Sequence, residues 1–194
     1  QILVGEADAV RAVADRLDDT FPEVVDRILH LSGRVVTTGM GKAGFIADKT
    51  SATLASTGTP AIYLHLAEAL HGDLGRVVAG DLVLAFSKSG ETEEVLRLIA
   101  PLKASSIPVV AITQSRDSSL GRHSDLVLCI GEIAEVGPHG LAPSASTTAM
   151  LALGDALALV VQEGRNFGPE EFARFHPGGD LGRRLMQVNE LMRT

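Results

Sequence analysis

The chain has 194 residues, 45% of them hydrophobic, and a formal net charge of -7. It is long enough for one well-buried domain and too short for two large ones. Because the balance is acidic and no basic run occurs, nucleic acid and anionic membrane are excluded as main partners, since both need a positive surface. No uninterrupted apolar stretch reaches the ~18 residues of a membrane span. The single cysteine, Cys129, has no internal partner for a disulfide and lies in an apolar run. It is expected to be a buried strand thiol in a reducing compartment, the cytoplasm.

The first elements are helical. Leu3, Ala7, Val10, Ala14 and Leu17 recur at spacings of four and three, which predicts one amphipathic helix. A second starts at Thr20, where Thr20 and Glu23 have the spacing of a capping box, and Gly33 stands where a left-handed stop is expected. From Arg34 onward β-rich runs alternate with helical stretches: Val35 to Thr38, Ala61 to Leu64, Leu82 to Phe86, Val109 to Thr113, and Leu126 to Ile130. The expected fold is α/β, a three-layer sandwich with a five-stranded parallel sheet and an N-terminal helical pair. Ligands of such sheets bind beyond the carboxyl ends of the strands. Three strands end there in small polar turns, at Thr38-Gly39-Met40-Gly41-Lys42, Ser87-Lys88-Ser89-Gly90 and Thr113-Gln114-Ser115. A long helix follows, roughly Ser144 to Glu163, entered through a hydroxyl-rich run that includes Ser144, Ser146, Thr147 and Thr148. The tail, with Phe172, Phe175, His176-Pro177-Gly178-Gly179 and Leu181, reads as a short helix, a sharp turn and another helix.

The stretch Ser87-Lys88-Ser89-Gly90-Glu91-Thr92 has the composition of a phosphate cradle. Three hydroxyls share one turn, Gly90 allows close backbone approach, and the following helix start favours anions. The same residues also suit an ordinary turn with Ser89 as helix N-cap. Gly39-Met40-Gly41-Lys42-Ala43-Gly44 matches a dinucleotide fingerprint, but no acidic residue closes the second strand to hold a ribose. A P-loop is disfavoured as well, because Ala43 stands where a magnesium-binding Ser or Thr belongs. What remains is a backbone loop with one lysine, suited to a small anion or a sugar oxygen. No cofactor is expected and no metal is required; His65 and His71 together offer at most an inhibitory transition-metal site. Glu135 stands in an irregular loop near the strand ends, where shielding would raise its pKa and let it move protons. Glu93 can pair with Arg97, whereas Glu94 lies on another helix face and can look into the site.

Several motifs now combine in order: Gly39-Met40-Gly41-Lys42, Ser56-Thr57-Gly58-Thr59-Pro60, Glu68-Ala69-Leu70-His71-Gly72-Asp73-Leu74-Gly75, Ser87-x-Ser89-Gly90-Glu91-Thr92, Leu141-Ala142-Pro143 with Ser146-Thr147-Thr148, Gly154-Asp155-Ala156-Leu157-Ala158 and His176-Pro177-Gly178-Gly179. Together they resemble the sugar-isomerase (SIS) domain of bacterial D-arabinose 5-phosphate isomerases, over nearly the whole chain. The resemblance implies a flavodoxin-like sheet and interconversion of D-ribulose 5-phosphate and D-arabinose 5-phosphate, at the entry to Kdo synthesis for lipopolysaccharide or capsule. It also implies a homo-oligomer, usually a tetramer, whose sites contain residues of neighbouring subunits.

By position Lys42, Glu94, Glu135 and His176 match the family's proposed catalytic group, and His71 its HGDLG histidine. Ser87, Ser89 and Thr92 match the phosphate-binding hydroxyls, while Gly41 and Thr147 fall in the matched motifs as further substrate contacts. Three positions depart from the family pattern: Ala43 where Ser is common, Leu66 where Pro usually follows the histidine, and Gly137 where Cys is frequent. Residues 1–186 are expected to form the isomerase domain. Residues 187–194 look like the start of an extension, such as the tandem cystathionine-β-synthase-type regulatory domains that many members carry.

The expected chemistry is aldose–ketose isomerisation through a cis-enediol. Glu135 is assigned as base with Glu94 as the alternative, Lys42 as stabiliser of the enediolate, and His71 and His176 as groups that open the ring or protonate oxygen. Two other readings stand beside it: an isomerase of another phosphosugar, and a sugar-phosphate or nucleotide-sugar sensor without turnover.

Overall fold

The computed structural model describes residues 1–178. Two helices, α1 (Ile2–Ala14) and α2 (Thr20–Leu29), lead into β1 (Val35–Gly39), α3 (Gly41–Ser56), β2 (Ala61–Tyr63) and the short α4 (Leu66–Ala69). Then come β3 (Leu82–Phe86), α5 (Glu93–Ala104), β4 (Val109–Thr113), α6 (Ser119–His123), β5 (Leu126–Cys129), α7 (Ala145–Gly164) and α8 (Pro169–Phe175). The five strands form one parallel sheet in the order β2-β1-β3-β4-β5.

Strand alternation sorts side chains into two cores. Leu82, Leu84 and Phe86 of β3, with Val110 and Ile112 of β4, face a layer that includes Ala47 and Leu54 of α3 and Leu153 and Leu157 of α7. Val83 and Ala85, with Val109 and Ala111, face Val95, Leu98 and Leu102 of α5 and Leu66 of α4. A sheet buried on both faces must read as continuous apolar runs, which is why the strands were legible in the sequence. Helix α7 is, among the described residues, the one helix long and apolar enough to cross a membrane, yet half of it is buried. It packs on α1, α2 and α3, and this accounts for its apolar character.

Local details depart from expectation in three places. No capping box forms at Thr20: the Asp18 carboxylate accepts the Thr20 amide at 3.0 Å, and Asp19 stands at the helix boundary without a side-chain cap. Helix α2 ends at Leu29, so Gly33 is not its stop; it is small because the Gly80 backbone and the Asp81 carboxylate crowd it. Cys129 is half-buried rather than enclosed, with its Sγ directed at the Gln114 carbonyl at 3.2 Å.

In the strand order β2-β1-β3-β4-β5 the chain runs outward in opposite directions from β1 and β3, which opens a crevice at their carboxyl ends. The loop after β3 is pinned over that crevice. The Lys88 carbonyl accepts from the Gln114 amide at 2.9 Å and from the Thr113 hydroxyl at 3.1 Å, and the Gly90 carbonyl accepts the Leu120 amide at 2.9 Å. Gly90 has φ +69°, and a Cβ there would lie 2.2 Å from Ser118 Oγ and 2.8 Å from Thr113 Oγ1. We expect Gly90→Ala to cost about 2 kcal/mol or more of unfolding free energy, from left-handed strain plus the clash. A urea midpoint unchanged from wild type would contradict the pinned geometry.

Candidate active site

A cleft of about 280 Å³ fills the crevice. One wall is the start of α3 with Met40, Lys42 and Ala43; the second is Phe86, Ser87, Lys88, Ser89 and Thr92; the third is Pro143, Ser146, Thr147 and Met150 at the start of α7. Three helix N-termini therefore converge on one space, each with amide groups that have no partner inside its own helix.

Their fates differ. At α7 the Glu135 carboxylate acts as an internal anion: its Oε2 accepts from the Ser144 amide at 2.8 Å, Ser144 Oγ at 3.2 Å and the Ser146 amide at 3.3 Å. Its Oε1 accepts from Ser146 Oγ at 2.5 Å and from Lys88 Nζ at 2.7 Å. At α3 there is no acidic residue in the first turn and no side-chain cap. Gly41 opens it with φ +58° and clear space around the Cβ position, which leaves the backbone accessible. Lys42 beside it adds a second positive charge to the same end, an arrangement that favours a bound anion.

At α5 the hydroxyls of the 87–92 loop are held in one turn. Ser87 Oγ accepts the Gly90 amide at 3.1 Å and lies 2.8 Å from Thr92 Oγ1, and Ser89 Oγ accepts the Glu91 amide at 3.2 Å. The amides of Ser89 and Thr92 donate to no protein acceptor among the described residues. Thr92, not Ser89, is the residue at the helix boundary, because its hydroxyl engages Ser87 and the helix begins at Glu93. Glu93 pairs with Arg97, as its spacing predicts.

The structure thus brings Lys42, Ser87, Ser89, Thr92 and Thr147 into one cleft, with Gly41 at its edge. Glu135 lies behind the wall, its side chain 6% exposed. The expected raised pKa is corrected. Burial pushes that carboxyl up, but the bonds from Lys88, the Ser146 hydroxyl and the Ser144 and Ser146 amides together outweigh burial and hold it at about 2. Glu94 is half-buried in the first turn of α5, outside the lining. His71 is exposed on the connection from β2 to β3, also outside it. Among the described residues no three His, Cys, Asp or Glu side chains gather to hold a metal ion, so His65 and His71 gain no third ligand.

His176 is farther away. Its ring stacks on Phe172 at 3.9 Å and faces the Phe172 carbonyl through Nδ1 at 2.8 Å. Phe167, which precedes α8 and lies against its Phe175, packs beside Gly58 just past the end of α3, and Arg165 reaches Thr59 at 3.0 Å. Since α3 begins in the cleft and its 16 residues extend about 24 Å, His176 sits at the opposite end of its own chain. The second helix of the tail and the expected extension at 187–194 lie outside the described residues.

Lys88 and Ser146 were missed by sequence reasoning. Lys88 looked like a spacer between two serines, yet its position two residues past a strand end in a phosphate-like loop was a usable signal.

These features have known counterparts. Residues 28–160 match the SIS domain family. The chain belongs to that family. This SIS domain is 48% identical over 97% of its length to the "Probable arabinose 5-phosphate isomerase" of Haemophilus influenzae, covering 56% of that protein. It is 44% identical over 96% of its length to the arabinose 5-phosphate isomerase KpsF of Escherichia coli, covering 57% of it. It therefore spans somewhat over half the length of these curated relatives. Among solved structures, c3406 of E. coli CFT073, in complex with arabinose 5-phosphate, superposes with a TM-score of 0.88 at 40% identity, covering 91% of this chain and 94% of that one.

The Glu135 anchor makes a pH-dependent prediction. Its folded pKa of about 2 lies below the ordinary 4.5, so it stabilises the fold above pH ~4.5 and the contribution is lost as pH falls towards 2. Glu135→Gln should be less stable than wild type by about 3 kcal/mol at pH 7, a gap that narrows below pH ~4.5. Urea unfolding at pH 7 and pH 3 measures it, and a gap independent of pH would refute the ionised anchor.

Proposed function

We propose that this SIS domain is the catalytic domain of an arabinose 5-phosphate isomerase, interconverting D-ribulose 5-phosphate and D-arabinose 5-phosphate through a cis-enediol. The observation that carries the reading is a preformed phosphate cradle sharing one small cleft with two lysines. At about 280 Å³ the cleft suits a pentose phosphate better than a dinucleotide, given that drug-sized sites occupy about 300–1,000 Å³. The names of the relatives support the same substrate pair.

In this reading the phosphate sits on the Ser87, Ser89 and Thr92 hydroxyls and the free amides at the start of α5. Lys42, carried on a helix start with no acidic neighbour in its turn, stabilises the charge that develops on the enediolate oxygen. Thr147 offers its hydroxyl to the sugar, while that of Ser146 is held by Glu135. Glu135 is too weak a base in its anchored state, since proton transfer near neutral pH favours a group whose pKa lies nearer the working pH. The base role passes to Glu94, the half-buried carboxylate two residues beyond the cradle.

His71 reaches oxygen only if its exposed loop closes, and His176 serves a neighbouring subunit's cleft, which agrees with its distance from its own. Exposed Phe45 on α3 and Leu159 on α7 provide apolar area for subunit contact in a homo-oligomer, a tetramer by family resemblance. The product feeds Kdo synthesis in the cytoplasm, for lipopolysaccharide or capsule, and the following segment opens a regulatory extension.

Proton NMR in deuterium oxide tests the activity directly. The C1 or C2 protons of ribulose 5-phosphate and arabinose 5-phosphate should exchange with solvent as the two sugars interconvert. A sensor would bind without exchange, and faster turnover of a different phosphosugar in the same assay would redirect the substrate assignment. Glu94→Gln should lower kcat by a factor of about 10² or more with KM little changed; wild-type turnover would remove Glu94 from the mechanism.

A further inference from the structure

Lys88 is a cleft residue that the proposed chemistry does not use. Its backbone is fixed by Thr113 and Gln114, while its side chain, 33% exposed, runs along the wall between the cradle and Glu135. Within the described residues Glu135 is its one ion-pair partner, at 2.7 Å. We infer that Lys88 is an exchangeable cation: it rests on Glu135 while the cradle is empty and transfers to the phosphate when a phosphosugar binds.

The inference rests on the proposed phosphate site and deepens it. Without Lys88 the carboxylate still accepts from the Ser144 and Ser146 amides and hydroxyls, so no buried oxygen is stranded when the ion pair opens. Lys88 stands between Ser87 and Ser89, whose hydroxyls shape the cradle, and a lysine is a compact point charge on a flexible stem that can swing between neighbouring acceptors. Among the described residues the two lysines of the lining face one carboxylate behind the wall, Glu135, so the lining has one net positive charge before the helix ends and Glu94, outside it on α5, are counted. A phosphate dianion is the stronger competitor for the mobile lysine. Glu91 and Glu93 do not compete, because the first accepts the Ser119 amide at 2.7 Å and the second is paired with Arg97.

The exchange predicts effects of opposite sign at the two ends of one ion pair. Inorganic phosphate is titrated calorimetrically into wild type, Lys88→Met, Glu135→Gln and the double variant at pH 7.5. Lys88→Met should weaken phosphate by about tenfold or more. Glu135→Gln should tighten it by about threefold or more, because the competitor for Lys88 has lost its charge. In the double variant the tightening should vanish.

A fixed clamp predicts otherwise: with Glu135→Gln the cleft loosens and phosphate binds no better. If wild type binds no phosphate, the cradle reading falls and this inference with it. If wild type binds but Lys88→Met binds equally well, or Glu135→Gln binds no tighter, only the exchange is overturned. Should Glu135→Gln fail to fold, Lys88→Met and Lys88→Arg decide the matter, since loss of phosphate affinity in the first and its retention in the second require the charge.

Discussion

The constraint on which this SIS domain depends is the convergence of three helix N-termini at the carboxyl ends of β1 and β3. Parallel strands in the order β2-β1-β3-β4-β5 force α3 and α5 to start there, and the loop after β5 brings in α7. Each helix end carries about half a positive charge and unpaired amides, an unfavourable cluster unless anions enter it. One end is neutralised from within by Glu135, α5 carries Glu93 and Glu94 in its first turn, and α3 has no acidic residue there. The same electrostatic demand therefore accounts for the Glu135 anchor and marks the start of α3 as the end best suited to an anion.

Much of this was legible from the sequence, and the reason is physical. The central runs were readable because β1, β3 and β4 are buried throughout, whereas the edge strand β2 is half-buried; β3 and β4 have the boundaries that the residues suggested. The tight turn at 87–92 was readable because small hydroxyls and a glycine after a strand suit a turn that needs a left-handed residue, and Gly90 has φ +69°. Hidden were the relations between distant segments. Glu135 looked like a shielded proton carrier, and only folding reveals Lys88, 47 positions away, and the α7 amides gathered around it. Burial and hydrogen bonding act on a carboxyl in opposite directions, and sequence shows neither magnitude.

The helix lengths impose a second separation. The 16 residues of α3 and 20 of α7 carry the chain from the cleft to the far side of the sheet, and α8 with His176 docks there. His176, stacked on Phe172, is half-buried at that end and outside the lining of the cleft.

Within the cleft, fixed and movable groups divide the work. The hydroxyls and amides of the 87–92 loop are held by β4 and α6, so they lose little freedom when an anion arrives. The lysines have flexible stems, and Lys88 is held in addition by its ion pair with Glu135. A rigid cradle alone would bind phosphate and any similar anion alike. A lysine already paired with Glu135 raises the requirement, because the incoming group must outcompete a carboxylate for it. Singly charged anions gain little from that exchange, whereas a dianionic phosphate gains a full ion pair. On this argument Glu135 lowers the site's affinity for anions in general and improves its discrimination in favour of phosphate esters, while the same carboxylate keeps the start of α7 in place to form the opposite wall.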